Sequence, residues 1–289
     1  PPPLFVDYGG PCLINLPEKE KIKVSNGLIS TFDQLARNCG ASISNISSMA
    51  TDQSLHSLLA DLGFKVAERD YTLIVSLKED LNYAWNYLIA GNARKAIRKA
   101  IKSGVVVDRQ ESSSALPDFY ELYVDSMKRL GVLPCPYSIA KDMWRLMGSS
   151  NCMKVFFAKI KNECIAGVLF FTFRNSIIGY LSVSSKKYLK LQPNNLLYYE
   201  IIKYGYENNF PFIDYGAAQP NTGSFEFKKS MGGRPREIYS FKKVYSGSKL
   251  HLKYILQFPR TLITTAFNKY IFPTAFSKRL DEDTWRLFS

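Results

Sequence analysis

The sequence predicts an α+β protein organised on a mixed central sheet flanked by helices. Three observations predict it. Nearly continuous apolar runs at Met153–Ile160, Cys164–Phe173 and Ser176–Ser184 are separated only by turn residues at Lys161-Asn162 and Arg174-Asn175, as in a meander whose two faces are both covered. Helical periodicity precedes this meander at 117–130 and 139–147 and follows it at 194–208. Two more strands, Phe212–Tyr215 and Glu237–Val244, come after the last of these helices.

Taken in order, Phe5-Val6-Asp7-Tyr8-Gly9-Gly10-Pro11 reads as a strand end entering a turn. Asp33–Asn38 and Asp52–Leu62 read as helices, the second with Leu55, Leu58, Leu59 and Leu62 on one stripe and Gly63 as its stop. Tyr71–Leu77 alternates and is β-branched, hence a strand. Ala90–Ser103 is a helix with Ala93, Ala96, Ile97, Ala100 and Ile101 on its buried face. Arg94, Lys95, Arg98, Lys99 and Lys102 form its other face. Arg94, Arg98 and Lys102 stack at i, i+4 and i+8, where like charges cost roughly a few tenths of a kcal/mol per pair. No acidic residue interleaves them, so the face is either solvated surface or a dock for an anion. Gly104 closes the helix and Val105–Val107 begins a strand. Ser112–Pro117 is the expected seam between an N-terminal domain, 1–111, and a C-terminal domain, 112–289. Pro117 opens a helix through Leu130 with Gly131 as its stop. The stretch Lys249–Ser277 reads as helices packing on the second domain or as a basic amphipathic patch on a membrane surface.

Composition bounds the function. The net charge of +13 is uneven: residues 91–110 carry +5 and residues 221–289 carry +8, while the remainder cancels. A localised excess points to a polyanionic partner. The 5 cysteines are an odd number without CxxC spacing, which argues for reduced core thiols in a cytoplasmic protein and against a zinc site. The 2 histidines, His56 and His251, have no nucleophile or carboxylate at motif spacing, so a histidine triad or a multi-histidine metal site is not expected. The start Pro1-Pro2-Pro3-Leu4 has no methionine and no signal pattern, as a fragment would read.

Chemistry is concentrated between Phe212 and Gly233, FIDYGAAQPNTGSFEFKKSMGG. A short strand, a carboxylate, a glycine-rich loop, an aromatic-lysine pair and a double glycine suggest close approach of a substrate to the backbone. Asp214 is either an amine anchor and weak base or a turn aspartate bonding backbone amides. Phe227 either stacks on a base or fills the core. Lys228 is either a fixed charge beside a developing oxyanion or a surface lysine next to Lys229. Phe5–Gly10 matches Phe212–Ala217 at 4 of 6 positions, which suggests two related domains with the first incomplete at its N-terminus.

Asn92-x-Arg94-x-x-Ile97-Arg98-Lys99-Ala100 with Gly104, then Asp214-Tyr215-Gly216, then Gly223-x-x-x-Phe227-Lys228 with Gly232-Gly233, resembles the Fem-type tandem GNAT acyltransferases. The resemblance implies two GNAT-like domains, of which the second binds the acyl donor, and no bound cofactor or metal. It implies Lys228 and Asp214 as catalytic residues. It implies Phe227, Tyr215, Gly216, Gly223, Lys229, Gln192, Asn194, Asn195, Arg94, Arg98 and Lys99 as substrate contacts. It further implies a sheet that splays at two central strands, expected at Cys164–Phe173 and Ser176–Ser184, and a helix start at Gln192-Pro193-Asn194-Asn195 that receives donor phosphate. Proline and asparagines stand where acetyl-CoA-using relatives carry glycines. The favoured donor is therefore aminoacyl-tRNA and the acceptor a phosphate-bearing amine, with peripheral membrane contact compatible. An acyl-CoA or carrier-protein thioester donor, and a non-catalytic nucleic-acid-binding role, stay open.

Overall fold

The computed structural model describes residues 17–50, 52–110, 112–131, 134–148 and 152–245. Among these, one compact unit takes the chain up to Leu73, then 217–225 and Pro235 onward; a second takes 74–216 and 226–234. Ser112–Pro117 falls inside the second unit. The expectations for Phe5–Pro11, Cys12, His251 and Lys249–Ser277 lie outside the described residues.

The first unit contains α1 (Glu18–Asn38), β1 (Ile43–Met49), α2 (Gln53–Asp61), most of β2 (Lys65–Ser76) and most of β8 (Arg234–Val244). β1 pairs antiparallel with β8, from Ile43 opposite Val244 to Met49 opposite Ile238, and β2 lies on the other side of β8. Asp52 caps α2 by accepting the Leu55 N–H, and Gly63 leaves it in the left-handed region at φ 84°. The core is Ile29, Leu55, Leu59, Phe64 and Phe241. His56 packs on the rings of Tyr239 and Phe241, which is the packed histidine its isolation suggests. α1 starts well before the expected Asp33, and β1 was not legible. Its apolar positions Ile43, Ile46 and Met49 are three apart, and its serines bond across the sheet, Ser47 to Ser240 and Ser44 to Tyr245.

In the second unit, α3 (Leu81–Tyr83) runs into a π-helical turn (Ala84–Leu88) and then α4 (Gly91–Lys102). Next come β3 (Val106–Gln110), α5 (Leu116–Leu130), α6 (Tyr137–Met147), β4 (Met153–Ile160), β5 (Glu163–Phe173) and β6 (Ser176–Ser184). α7 (Pro193–Glu207), most of β7 (Phe212–Ala217) and most of α8 (Gly223–Ser230) complete it. The strands lie in the order β7-β6-β5-β4-β3, with the end of β2 beyond β7. β3 to β6 are antiparallel and β7 is parallel to β6, so the sheet is mixed. Met153, Val155 and Phe157 face a layer built from α5 and α6 with Phe119, Leu122 and Trp144. Phe156 and Ala158 face the opposite layer, with Ile97 of α4 and Ile201 of α7. Cover on both faces is why these strands read as unbroken apolar runs. Cys39 is exposed and Cys135, Cys152 and Cys164 are half-buried free thiols, not the buried core residues expected.

Charged residues at the edge of this unit are paired. Arg109 of β3 bonds Glu200 and Glu207 of α7, and Lys159 bonds Asp108. The Arg109 hydrogen bond holds the Glu207 carboxyl below its ordinary range, and the Lys159 hydrogen bond does the same for Asp108. Both groups bind protons more weakly folded than unfolded. Their stabilisation is present above the unfolded carboxyl pKa of about 4 and is lost as pH falls through the lower folded values. Melting temperature should therefore fall progressively in a series taken below about pH 5. Arg109→Ala should shrink that acid-dependent fall; an unchanged slope would remove the pair from the account.

Candidate active site

The expected splay between Cys164–Phe173 and Ser176–Ser184 is not there. β5 and β6 pair along their length, from Ala166 opposite Ser184 to Phe173 opposite Ser176. The divergence lies one strand over. β6 and β7 share only the pairs Ser176–Phe212, Ile177–Ile213 and Ile178–Asp214. Two local features account for it. Leu169 faces Leu181 while Phe170 faces Gly179, so Tyr180 is an extra residue and β6 bulges there. Tyr198 of α7 then bonds Ser182 of β6 through its hydroxyl and packs its ring 4.9 Å from that of Tyr215 on β7. It touches both strands beyond their last shared pair. Burial pushes the Tyr198 hydroxyl up to about 12.

Beyond the last shared pair the chain is pinned at Gly216. Asp214, 3% exposed, accepts the Gly216 N–H at 2.8 Å through Oδ1. Lys228 of α8, also buried, donates from Nζ to the Gly216 carbonyl at 3.1 Å. Gly216 has φ 76°, a conformation open to glycine at little cost. Asp214 and Lys228 thus meet the two ends of one residue, and the turn-type bonding of Asp214 is realised. Lys229, the next residue, is exposed. Tyr215, expected as a substrate contact, is turned into the core. It is buried, its hydroxyl donates to the Met231 carbonyl, and burial raises its pKa well above the ordinary value.

The glycines of the motif divide. Gly232 (φ 94°) and Gly233 close α8, their amides donating to the Lys229 and Lys228 carbonyls. A Cβ on Gly232 would lie 3.1 Å from that of Leu88, so the backbone approach they permit is to the protein itself. Gly223 is the exposed first residue of α8, with open space around it; nothing there demands glycine.

A cleft of about 470 Å³ lies between α4, the start of α7 and α8. Lys95 and Lys99 line it from α4, Gln192 and Asn195 from α7, and Glu226, Phe227 and Ser230 from α8. Gln192, in the left-handed region at φ 61°, caps α7, and with the first turn of α7 lining the cleft the positive end of that helix dipole lies beside it. Asn195 is buried, its amide 3.7 Å from the Met231 sulfur. Asn194 reaches Ser184 at 3.5 Å, and its buried Oδ1 has no partner among the described residues. Phe227 meets Tyr198 edge-on at 4.8 Å; it fills the core and lines the cleft. Arg94 and Arg98 are turned to other work. Arg94 donates to the Trp85 and Asn86 carbonyls of the π-helical turn, and Arg98 lies over the Trp85 ring at 5.2 Å. The cleft takes the Lys95–Lys99 row instead of the Arg94–Arg98–Lys102 row. Sequence reasoning missed Lys95 and Glu226. Glu226 did carry a signal, as the one acidic residue between Asp214 and Glu237.

No curated protein matches the chain significantly. Residues 90–229 match the family described as an acetyltransferase (GNAT) domain. The chain carries a GNAT acetyltransferase domain over these residues. The crystal structure of FemX aligns with 78% of this chain and 77% of its own, at 16% identity and a TM-score of 0.63. L-PGS from Bacillus licheniformis aligns over 84% and 78%, at 17% identity and 0.54. A tandem GNAT protein from the clavulanic acid biosynthesis pathway aligns over 76% and 70%, at 11% identity and 0.55. These are likenesses of fold, and they set the chain among GNAT-fold structures. Among the described residues, no helix is long and apolar enough to cross a membrane, and no group of three His, Cys, Asp or Glu side chains could hold a metal ion.

Proposed function

We propose that this acyltransferase moves an aminoacyl group from aminoacyl-tRNA onto the amine of a phosphate-bearing acceptor. One observation carries the reading. The buried Lys228 ammonium is bonded to Gly216, two residues past the last pair that β6 and β7 share. A fixed positive charge therefore stands where the sheet opens. The acceptor nitrogen attacks the ester carbonyl, the C–N bond forms, and the C–O bond to the ribose breaks. The amine proton leaves with the ribose hydroxyl. Charge builds on the carbonyl oxygen, and Lys228 with main-chain amides at the β6–β7 opening stabilises it. The first turn of α7 with Lys99 meets donor phosphate.

The basic excess of residues 91–110 and 221–289 supports a polyanionic donor, as do FemX and L-PGS among the similar structures. The reading further takes the enzyme as cytoplasmic, acting on cell-envelope precursors at or near the membrane surface, and built from two related domains. A thioester donor is the second reading, favoured by the acetyltransferase family match and weakened by Pro193-Asn194-Asn195 where glycines would admit coenzyme A. The test is transfer to an amine panel from labelled aminoacyl-tRNA and from acetyl-CoA in parallel. Transfer from the tRNA, with affinity falling steeply between about 50 and 200 mM salt, is expected. Turnover from acetyl-CoA alone would overturn it.

A further inference from the structure

The cleft between α4, α7 and α8 holds charges of both signs that the fold does not use. Lys95 and Lys99 stand one helical turn apart on α4, and Glu226 stands on α8. None of the three forms an ion pair with a described residue. All three are exposed; elsewhere in the same unit Asp108 pairs with Lys159 and Glu200 with Arg109 and Lys203. Unpaired charges of opposite sign on facing helices are an arrangement that a complementary ligand completes. The two lysines share one face and can act on one anion, beside the positive end of α7. Glu226 can only accept hydrogen bonds, most strongly from a cation, and it repels an anion that carries none.

We infer that this cleft binds the part of a substrate that carries an ammonium group and an anionic group together. Glu226 takes the ammonium, and Lys95 with Lys99 takes the anion. The inference deepens the aminoacyl-donor reading and rests on it for one of its two sources. In the first source the ligand is the aminoacylated 3′ end of the donor, with an α-ammonium near a phosphate. In the second it is an amino-acid-like acceptor. In either case Glu226 selects against an acyl group that lacks an amine, because its carboxylate would face that group without a partner.

Binding calorimetry tests this with four probes: a 3′-aminoacylamino-3′-deoxyadenosine 5′-phosphate, its N-acetylated form, adenosine 5′-phosphate and a free amino acid. The wild type should bind the free-amine nucleotide about tenfold tighter than the N-acetylated one, the size of a single charge-assisted bond. Glu226→Gln should erase that ratio. Lys95→Ala with Lys99→Ala should weaken both nucleotides and flatten their salt dependence while the ratio persists. A wild-type ratio near one, a ratio untouched by Glu226→Gln, or no binding of any probe would overturn the inference. Nucleotide binding without Glu226 dependence would leave the tRNA-donor reading standing and this inference fallen. Glu226-dependent binding of the amino acid alone would do the reverse.

Discussion

Lys228→Met should reduce acyl transfer by about 100-fold or more, the usual effect of removing one preorganised donor from a developing oxyanion. It should also lower the melting temperature. The sequence places Lys228 beside Lys229 and invites the expectation that its loss leaves stability unchanged. The structure overturns that, because Lys228 is 9% exposed and its ammonium donates to the Gly216 carbonyl. Methionine would strand that buried carbonyl at a cost of about 1–3 kcal/mol. In a chain of this size each kcal/mol lowers the melting temperature by roughly 2–4 °C. Such a loss leaves nearly all molecules folded at 25 °C, so the two effects separate: single-turnover transfer reports the chemistry and a thermal melt reports the carbonyl. Lys228→Arg keeps a charge and can still donate to the Gly216 carbonyl, but its planar fork is not a point charge in the place of the ammonium. It should recover stability better than rate. Transfer that survives in Lys228→Met while the melt drops would make this residue a strut for Gly216 and nothing more.

How much of this was legible turns on where each residue finds its partner. The β4–β5–β6 meander was legible because a strand covered on both faces has few polar positions to hide it. The stops at Gly63, Gly104 and Gly131 were legible because each has positive φ, at 84°, 79° and 68°. The basic helix was legible as a helix, but the use of its rows was not. Arg94 and Arg98 go to the carbonyls and indole of the 84–88 turn, and a π-helical turn leaves no signature in composition. Tyr215 was expected as a substrate contact because the Asp-Tyr-Gly motif carries the resemblance, yet its hydroxyl finds its acceptor in a carbonyl 16 residues later. The splay was placed one strand early because two adjacent apolar runs look like the centre of a sheet. A glycine inside an apolar strand marks a bulge or a close backbone approach. Gly179 was that mark.

Gly179→Val should therefore damage the opening from inside the sheet. A Cβ at this position would lie 3.3 Å from the Asp214 carbonyl oxygen and 3.3 Å from the Tyr215 Cα. Both are backbone atoms, so no rotamer change relieves the contact, and the two further methyl groups of valine add to it. Overpacking of this kind costs about 1–3 kcal/mol, which a thermal melt would read as a clear loss. Activity should suffer beyond that loss. The strain falls on the last shared pair, Ile178–Asp214, and Asp214 holds Gly216, which Lys228 also holds. Pushing β7 away from β6 moves the ammonium together with the strand. Gly205→Ala supplies the contrast. Its Cβ would meet the Leu77 Cδ1, with Ile177 and Ile213 of the joined end of β6 and β7 beside it; these are ends of flexible side chains, so the injury is absorbed without moving backbone at the β6–β7 opening. It should lower the melting temperature while transfer per folded molecule stays near wild type. Equal activity losses in the two variants, once matched for stability, would mean that the separation of β6 from β7 plays no part in the chemistry.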